Sequence, residues 1–392
     1  MSLFRFLVVI AALAGAAVPM SVAMDVPPRG APAQPDTRKM IALSFDDVPR
    51  APGAFYTKEE RTSRLIAGLH AAGVSQVAFF LNPGRIANGD GAAERIAAYT
   101  SAGHVLGDHS FSHHDLSSMS AEAFLGDIDK AEAWLKGRPG YRPWFRFPGL
   151  NQGGKDQVKR RTVLAGLATR GLLVAPVTID GSDWYLERLA LDAQKAGKPI
   201  DDAALRDLYV ETMVRSSDFS EALMRRTIGR SPAHVILLHE TDLAARYIGP
   251  LIEALRKDGW RIVSADQAFA DPIYHETLDV PASNGTLPEA LAWQKGIAGP
   301  LWYERNDVKI AGALFAARVM HQPALAVDSV AVENGAAARS ARHRRCIVQR
   351  WRWRRNCPEL AFTARMISRS GSSHDQPVRP HRRSARDPGS RA

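Results

Sequence analysis

Short apolar runs and longer amphipathic stretches take turns from Lys39 to Val263, a rhythm that few folds accommodate. Residues 40–45, 77–81, 105–107, 145–147, 172–179, 234–238 and 260–263 read as buried strands. Between them, Thr57 and Glu60 match a capping box that opens a helix to about residue 72, just before Gly73. Further helices are expected over 91–101, from a Ser120 cap to 135, over 158–169, over 201–228 and over 244–257. Strands that alternate with helices imply a parallel sheet with right-handed crossovers, either an open doubly wound sheet or a (β/α) barrel.

Five short clusters choose between these. They are Ser44-Phe45-Asp46-Asp47, His109-Ser110-Phe111-Ser112-His113, Arg146-Phe147-Pro148-Gly149, Asp180-Gly181-Ser182-Asp183-Trp184 and Leu237-Leu238-His239. Each follows the carboxyl end of a different strand. Polar residues spread over that many strand ends are what a barrel gathers at its top face. An open sheet gathers its ligand mainly at one switch point. The barrel is therefore the expected α/β architecture.

The clusters hold the parts of a metal-dependent hydrolase. A carboxylate and two imidazoles, with the remaining positions open to water, suit a catalytic metal site. His109 and His113 are four apart, so one helical turn would set both rings on one side. Adjacent Asp46 and Asp47 would face opposite sides of a regular strand. A strand that ends before them, with a turn forced by Pro49, would let both converge. One carboxylate then binds the ion and the other stays free as a base. His239 leaves a buried strand at the barrel mouth and suits a general acid. Arg146 and Asp183 would orient the base and the acid, and Trp184 would offer an apolar wall.

Composition frames this reading. A 392-residue chain with 45% hydrophobic content can bury a large core. The net charge of +10 is misleading, because residues 331–392 carry fifteen arginines against four acidic residues. That segment holds +11, so the rest of the chain is near neutral. Its Arg-, Ser- and Pro-rich composition suits a disordered tail. It also resembles out-of-frame translation of a G+C-rich gene. The tail's charge suits anionic envelope polymers, and no nucleic-acid partner is expected. Residues 1–23 read as a cleavable export signal: Arg5, an apolar run to Pro19, then Ser21-Val22-Ala23. Cleavage would leave no transmembrane anchor and place the protein in the periplasm or outside the cell. Both cysteines, Cys346 and Cys357, lie in the tail, so a metal in the main domain falls to His and carboxylate.

Together the five clusters resemble those of the polysaccharide deacetylase family, carbohydrate esterase family 4. The resemblance spans roughly residues 40–270. It implies a distorted (β/α)7 TIM-like barrel and a metal-dependent hydrolase, commonly with zinc. Such an enzyme removes acetyl groups from chitin-like or peptidoglycan-type glycans. By motif, Asp46 matches the general base, and Asp47, His109 and His113 the metal ligands. Arg146 matches the residue that positions the base, Asp183 and Trp184 the fourth motif, and His239 the general acid. The N–H after Pro148, together with the ion, would hold the oxyanion.

The implied organisation is a signal at 1–23, a disordered linker at 24–38 and a catalytic barrel at 39–270. A wrap on the barrel would follow at 271–330, then the tail at 331–392. Two features depart from the pattern. Gly149 stands where an aromatic residue is common, and the charged run between Trp184 and His239 is long enough for a lid or rim. They leave open a hydrolase of another amide or a cyclic imide on the same barrel. A glycan-binding protein without turnover is a further alternative.

Overall fold

The computed structural model describes residues 39–322 apart from 87, 88, 277 and 279. The expected export signal, linker and Arg-rich tail lie outside the described residues, as do 323–330 of the expected wrap. The first half of the chain runs β1 (Lys39–Val48), α1 (Lys58–Ala71), β2 (Ala78–Leu81), α2 (Ala92–Ser101) and β3 (Val105–Asp108). It continues through α3 (Ala121–Leu135), β4 (Tyr141–Phe145), β5 (Asn151–Gly154) and α4 (Gln157–Thr169). Next come β6 (Leu173–Val174), β7 (Ile179–Asp180), α5 (Asp183–Lys195) and α6 (Asp202–Ile228). The chain then forms β8 (Ala233–His239), α7 (Asp242–Lys257), β9 (Trp260–Ile262) and α8 (Ala265–Phe269). It closes on β10 (Ser283–Asn284), α9 (Leu287–Gln294) and α10 (Val308–Arg318).

The main sheet is parallel throughout, in the order β6-β4-β3-β2-β1-β8-β7, with β9 also paired to β1. It curls with helices on its outside. Among the described residues no ladder joins the end strands β6 and β7. The architecture is the expected distorted α/β barrel.

Period-two alternation along β1 positions the site. Ile41, Leu43 and Phe45 pack outward in a core shared with Leu65 and Leu69 of α1 and Ile248, Leu251 and Ile252 of α7. Ala42 joins the second core with Ala78, Phe80, Val235 and Leu237. Each fully buried Ile, Leu, Val or Phe side chain among these contributes ~1.5–3 kcal/mol relative to exposure. Ser44 and Asp46 continue the inward row, so Asp46 stands at the carboxyl end of the barrel interior.

Several elements differ from expectation. The 172–179 run is two short strands, β6 and β7, parted by Pro176, which has no N–H to give a ladder. The strand expected over 145–147 lies earlier, over Tyr141–Phe145. The long segment between Trp184 and His239 is barrel wall rather than lid. It forms α5 and α6, which bury Leu186, Ala190, Leu205, Leu208, Tyr209 and Met213 in the main core. The helix at α1 has its capping box intact: Thr57 Oγ1 accepts from Glu60 N at 3.2 Å, and Glu60 Oε2 accepts from Thr57 N at 2.9 Å.

Candidate active site

Asp47 reaches the site by a different route from the one expected. β1 does not stop before the Asp pair; it runs to Val48, and its register with β2 slips between Phe45 and Val48. Asp47 sits at that irregularity with φ of 69°, a left-handed conformation rare for a non-glycine residue. The extra turn brings Asp47 round to the side that Asp46 already faces. The Val48–Pro49 peptide that follows is cis.

The histidines also meet without a helix. The 109–113 segment is a tight loop, with Ser110 at φ 65° and His113 at φ 62°. Asn82, at the end of β2, ties it down by donating Nδ2 to the carbonyls of His109 (2.6 Å) and Ser110 (2.9 Å). Asp108 accepts from Ser110 N, and Asp127 from Ser112 N. Burial and the nearby Glu132 charge push the Asp108 carboxyl well above the usual carboxylate range. The two rings end with centroids 5.0 Å apart.

Asp47, His109 and His113 form the one metal-capable His/Cys/Asp/Glu cluster among the described residues, with their ligand atoms all within 4.8 Å of one another. Asp47 Oδ1 lies 2.8 Å from His113 Nε2 and 4.0 Å from His109 Nε2. His109 Nδ1 sits 2.9 Å from the Arg146 carbonyl; a carbonyl only accepts, so Nδ1 carries the proton and Nε2 offers its lone pair to the cluster. Burial lowers the His109 pKa to about 4, despite the opposing charge of Asp46. Burial alone would raise the Asp47 pKa, yet contact with His113 and the charges of His113, His239 and Arg85 hold it well below the usual range. An ionised carboxylate and a neutral imidazole are what a divalent ion needs. Asp47 Oδ1 is also buried without a well-aligned hydrogen bond from any described residue. The donor set fits a metal.

Asp46 is held apart from that cluster. Its Oδ1 accepts from Arg146 Nη1 at 2.7 Å, while Oδ2 lies 3.6 Å from His109 Nε2. Arg146 is buried, lies over the Phe80 ring at 3.7 Å, and donates further to Ser44 Oγ and the Ala175 carbonyl. Asp46 and His239 are register partners on β1 and β8. Across from Asp46, His239 Nδ1 meets Asp183 Oδ1 at 2.7 Å, and His239 N donates to Asp183 Oδ2 at 2.8 Å. Burial opposes the charged imidazole, but the charge and hydrogen bond of Asp183, with the charge of Asp47, raise the His239 pKa overall.

The remaining expected residues lie on the flanking turns. Pro148 is buried and Gly149 exposed in a short turn after β4, where Gly149 has φ of 58° and a Cβ would meet open space. Trp184 is half-buried in the first turn of α5, edge-on to Tyr185 at 5.5 Å.

Residues absent from the sequence reading complete the frame. Arg50 Nη1 donates to Asp47 Oδ2 at 2.6 Å, and Arg85 Nη1 lies 3.4 Å from Asp47 Oδ1. Glu240 Oε2 accepts from Arg50 N, and its Oε1 from Tyr99 Oη. Asn306 donates to the Asp180 carbonyl and contacts Ser182 Oγ, steadying the turn that precedes Asp183. Asn82 and Glu240 sit at strand ends, as the five clusters do, and that placement was the available signal. Asn306 carries no such mark.

Residues 33–168 match the family model described as polysaccharide deacetylase, a span that takes in Asp46, Asp47, His109, His113 and Arg146. Over that span the chain is similar to the polysaccharide deacetylase family. A peptidoglycan-N-acetylglucosamine deacetylase of Bacillus cereus is 27% identical over 150 residues, 38% of this chain and 48% of that protein. The chain thus spans about half the length of that relative. Among solved structures, the peptidoglycan deacetylase PdaC from Bacillus subtilis is 21% identical, over 59% of this chain and 90% of that one, with a TM-score of 0.38. A family 4 carbohydrate esterase from Streptomyces lividans in complex with acetate is 19% identical, over 57% and 90%, with a TM-score of 0.37.

Proposed function

We propose that the protein is a metal-dependent hydrolase that removes acetyl groups from an N-acetylated glycan, at a non-peptide C–N bond. One observation carries this reading: a metal-ligand cluster, a separate carboxylate and a carboxylate-bound histidine converge on one barrel mouth. Asp47, His109 and His113 would hold the ion, and two imidazoles with one carboxylate suit zinc. Such an ion, when bound, lowers the pKa of water and polarises a carbonyl oxygen.

The chain's own residues do the rest. Arg146 pins Asp46 through Oδ1, which leaves Oδ2 beside the cluster to take a proton from the attacking water. Asp183 holds His239 through Nδ1, so Nε2 is the atom that delivers a proton to the departing amine. The Asp183 carboxylate raises the His239 pKa and so favours the protonated ring. The N–H of Gly149 is the proposed donor to the oxyanion, and Trp184 the wall beside the acetyl methyl. A purely glycan-binding protein would have no use for both an acid and a base.

The proposed setting is an exported protein, in the periplasm or outside the cell, after removal of 1–23. A linker at 24–38, a catalytic barrel at 39–270, a wrap at 271–330 and a basic tail at 331–392 complete the proposed organisation. Among the described residues no helix is long and apolar enough to cross a membrane. The Asp46→Asn variant tests the roles. It should keep wild-type metal content, yet release acetate about 10²–10⁴-fold more slowly. Near-wild-type turnover at matched metal loading would show that Asp46 is not the base.

A further inference from the structure

We propose that this site selects a glycan bearing an acidic substituent, a carboxylate or a phosphate, next to the acetylated amine, and that Arg50 and Arg85 recognise it. The inference rests on the deacetylase reading above and narrows its substrate class.

Both guanidinium groups stand at the mouth on the Asp47 side. Arg50 Nη1 lies 2.6 Å from Asp47 Oδ2; Arg85 Nη1 lies 3.4 Å from Asp47 Oδ1 and 3.2 Å from the Asp47 carbonyl. Their side chains remain 27% and 35% exposed, whereas Arg146, which serves Asp46, is 1% exposed. Arg146 is thus committed to the interior, and the other two face solvent. The Arg50 backbone N–H also donates to Glu240, the neighbour of His239, at 2.8 Å, which ties its segment to the acid side of the mouth. Among the described residues no hydrogen bond engages Nε or Nη2 of either arginine, so each keeps donors for a ligand.

Charge counting points the same way. Asp46, Asp47, Asp183 and Glu240 are matched by Arg50, Arg85, Arg146 and a protonated His239, so the site is balanced before any metal arrives. A divalent ion would then leave a net of about +2 in a mouth with low-dielectric walls, which favours an anion. The same ion would share the Asp47 carboxylate and weaken its hold on both guanidinium groups. Forked guanidinium donors suit carboxylate and phosphate oxygens.

The test uses the full, zinc-loaded protein and three oligomers of equal length. One is a neutral N-acetylglucosamine oligomer, one carries a carboxylate and one a phosphate on the 3-oxygen, beside the 2-acetamido group. Acetate release and calorimetric binding are measured for wild type, Arg85→Gln, Arg85→Lys and the Arg50→Gln/Arg85→Gln pair. Wild type should favour an anionic oligomer in kcat/KM by roughly tenfold or more, and the preference should shrink with salt. The glutamine variants should lose most of that ratio, mainly through KM, and the lysine variant should restore part of it. The two anionic arms tell carboxylate from phosphate. Equal or better use of the neutral oligomer, or a ratio untouched in the glutamine variants, overturns the inference. If no oligomer releases acetate, the deacetylase reading fails, and the binding ratios still decide charge selection. Should the double variant fail to fold, the more exposed Arg85→Gln decides alone.

Discussion

His109 and His239 stand on the same barrel rim, the first buried and the second half-buried, and their surroundings drive them in opposite directions. His109 places Nδ1 on a neutral backbone carbonyl, and burial takes its pKa to about 4. His239 places Nδ1 on the Asp183 carboxylate, which outweighs the opposing effect of burial and raises its pKa. A neutral ring suits a metal ligand; a protonated one suits a proton donor. The residue type is shared, and the partner on Nδ1 separates the roles. His234, five residues before His239 on β8, is a third case. Its nitrogens meet Thr178 Oγ1 at 3.0 Å and Glu221 Oε2 at 2.9 Å, so both are spent inside the wall and none faces the site.

Substitutions at the three positions should therefore fail differently. His109→Ala should take both metal content and acetate release to background. His239→Ala should keep its metal and slow turnover by about 10²–10⁴-fold, most for poor leaving groups. Equal metal loss in the two variants, by elemental analysis, would erase the proposed division of labour.

A subtler variant moves a pKa rather than a rate. The acid must be protonated to act, so activity should fall as pH rises through the His239 pKa. Asp183→Asn removes the charge that raises that pKa, and the basic limb of the pH–rate profile should shift to lower pH. An unshifted basic limb would remove His239 from the acid role.

Much of the rim was legible because polar residues that break an apolar strand stand out by contrast. His239 after Leu237-Leu238, and Asp46 after Phe45, are of this kind. The geometry that joins them was not legible. Asp47 turns inward through an irregular strand and a positive φ, which the composition Asp-Asp-Val-Pro does not specify. The histidines meet in a loop pinned by Asn82, 27 residues away from His109, rather than on a helical turn. Asn306 reaches the Asp180 turn from 126 residues further on, a contact that leaves no local trace. Likewise the charged segment before His239 reads as a lid or rim by length, and its buried Leu205, Leu208, Tyr209 and Met213 make α6 a wall.

The smallest catalytic effect is expected at His234. His234→Gln breaks a buried pair and should cost ~1–3 kcal/mol of stability in thermal or denaturant unfolding. Turnover per folded molecule should stay at the wild-type value. A selective loss of kcat would mean that the ring reaches the site through β8.

The central claim is that Asp47, His109 and His113 hold the ion on which acetate release depends. Acetate released from an N-acetylated oligosaccharide by the full chain should be measured as isolated, after chelation and dialysis, and after zinc is returned. Chelation should abolish release and zinc should restore it. Release that persists in the metal-stripped protein would contradict the claim.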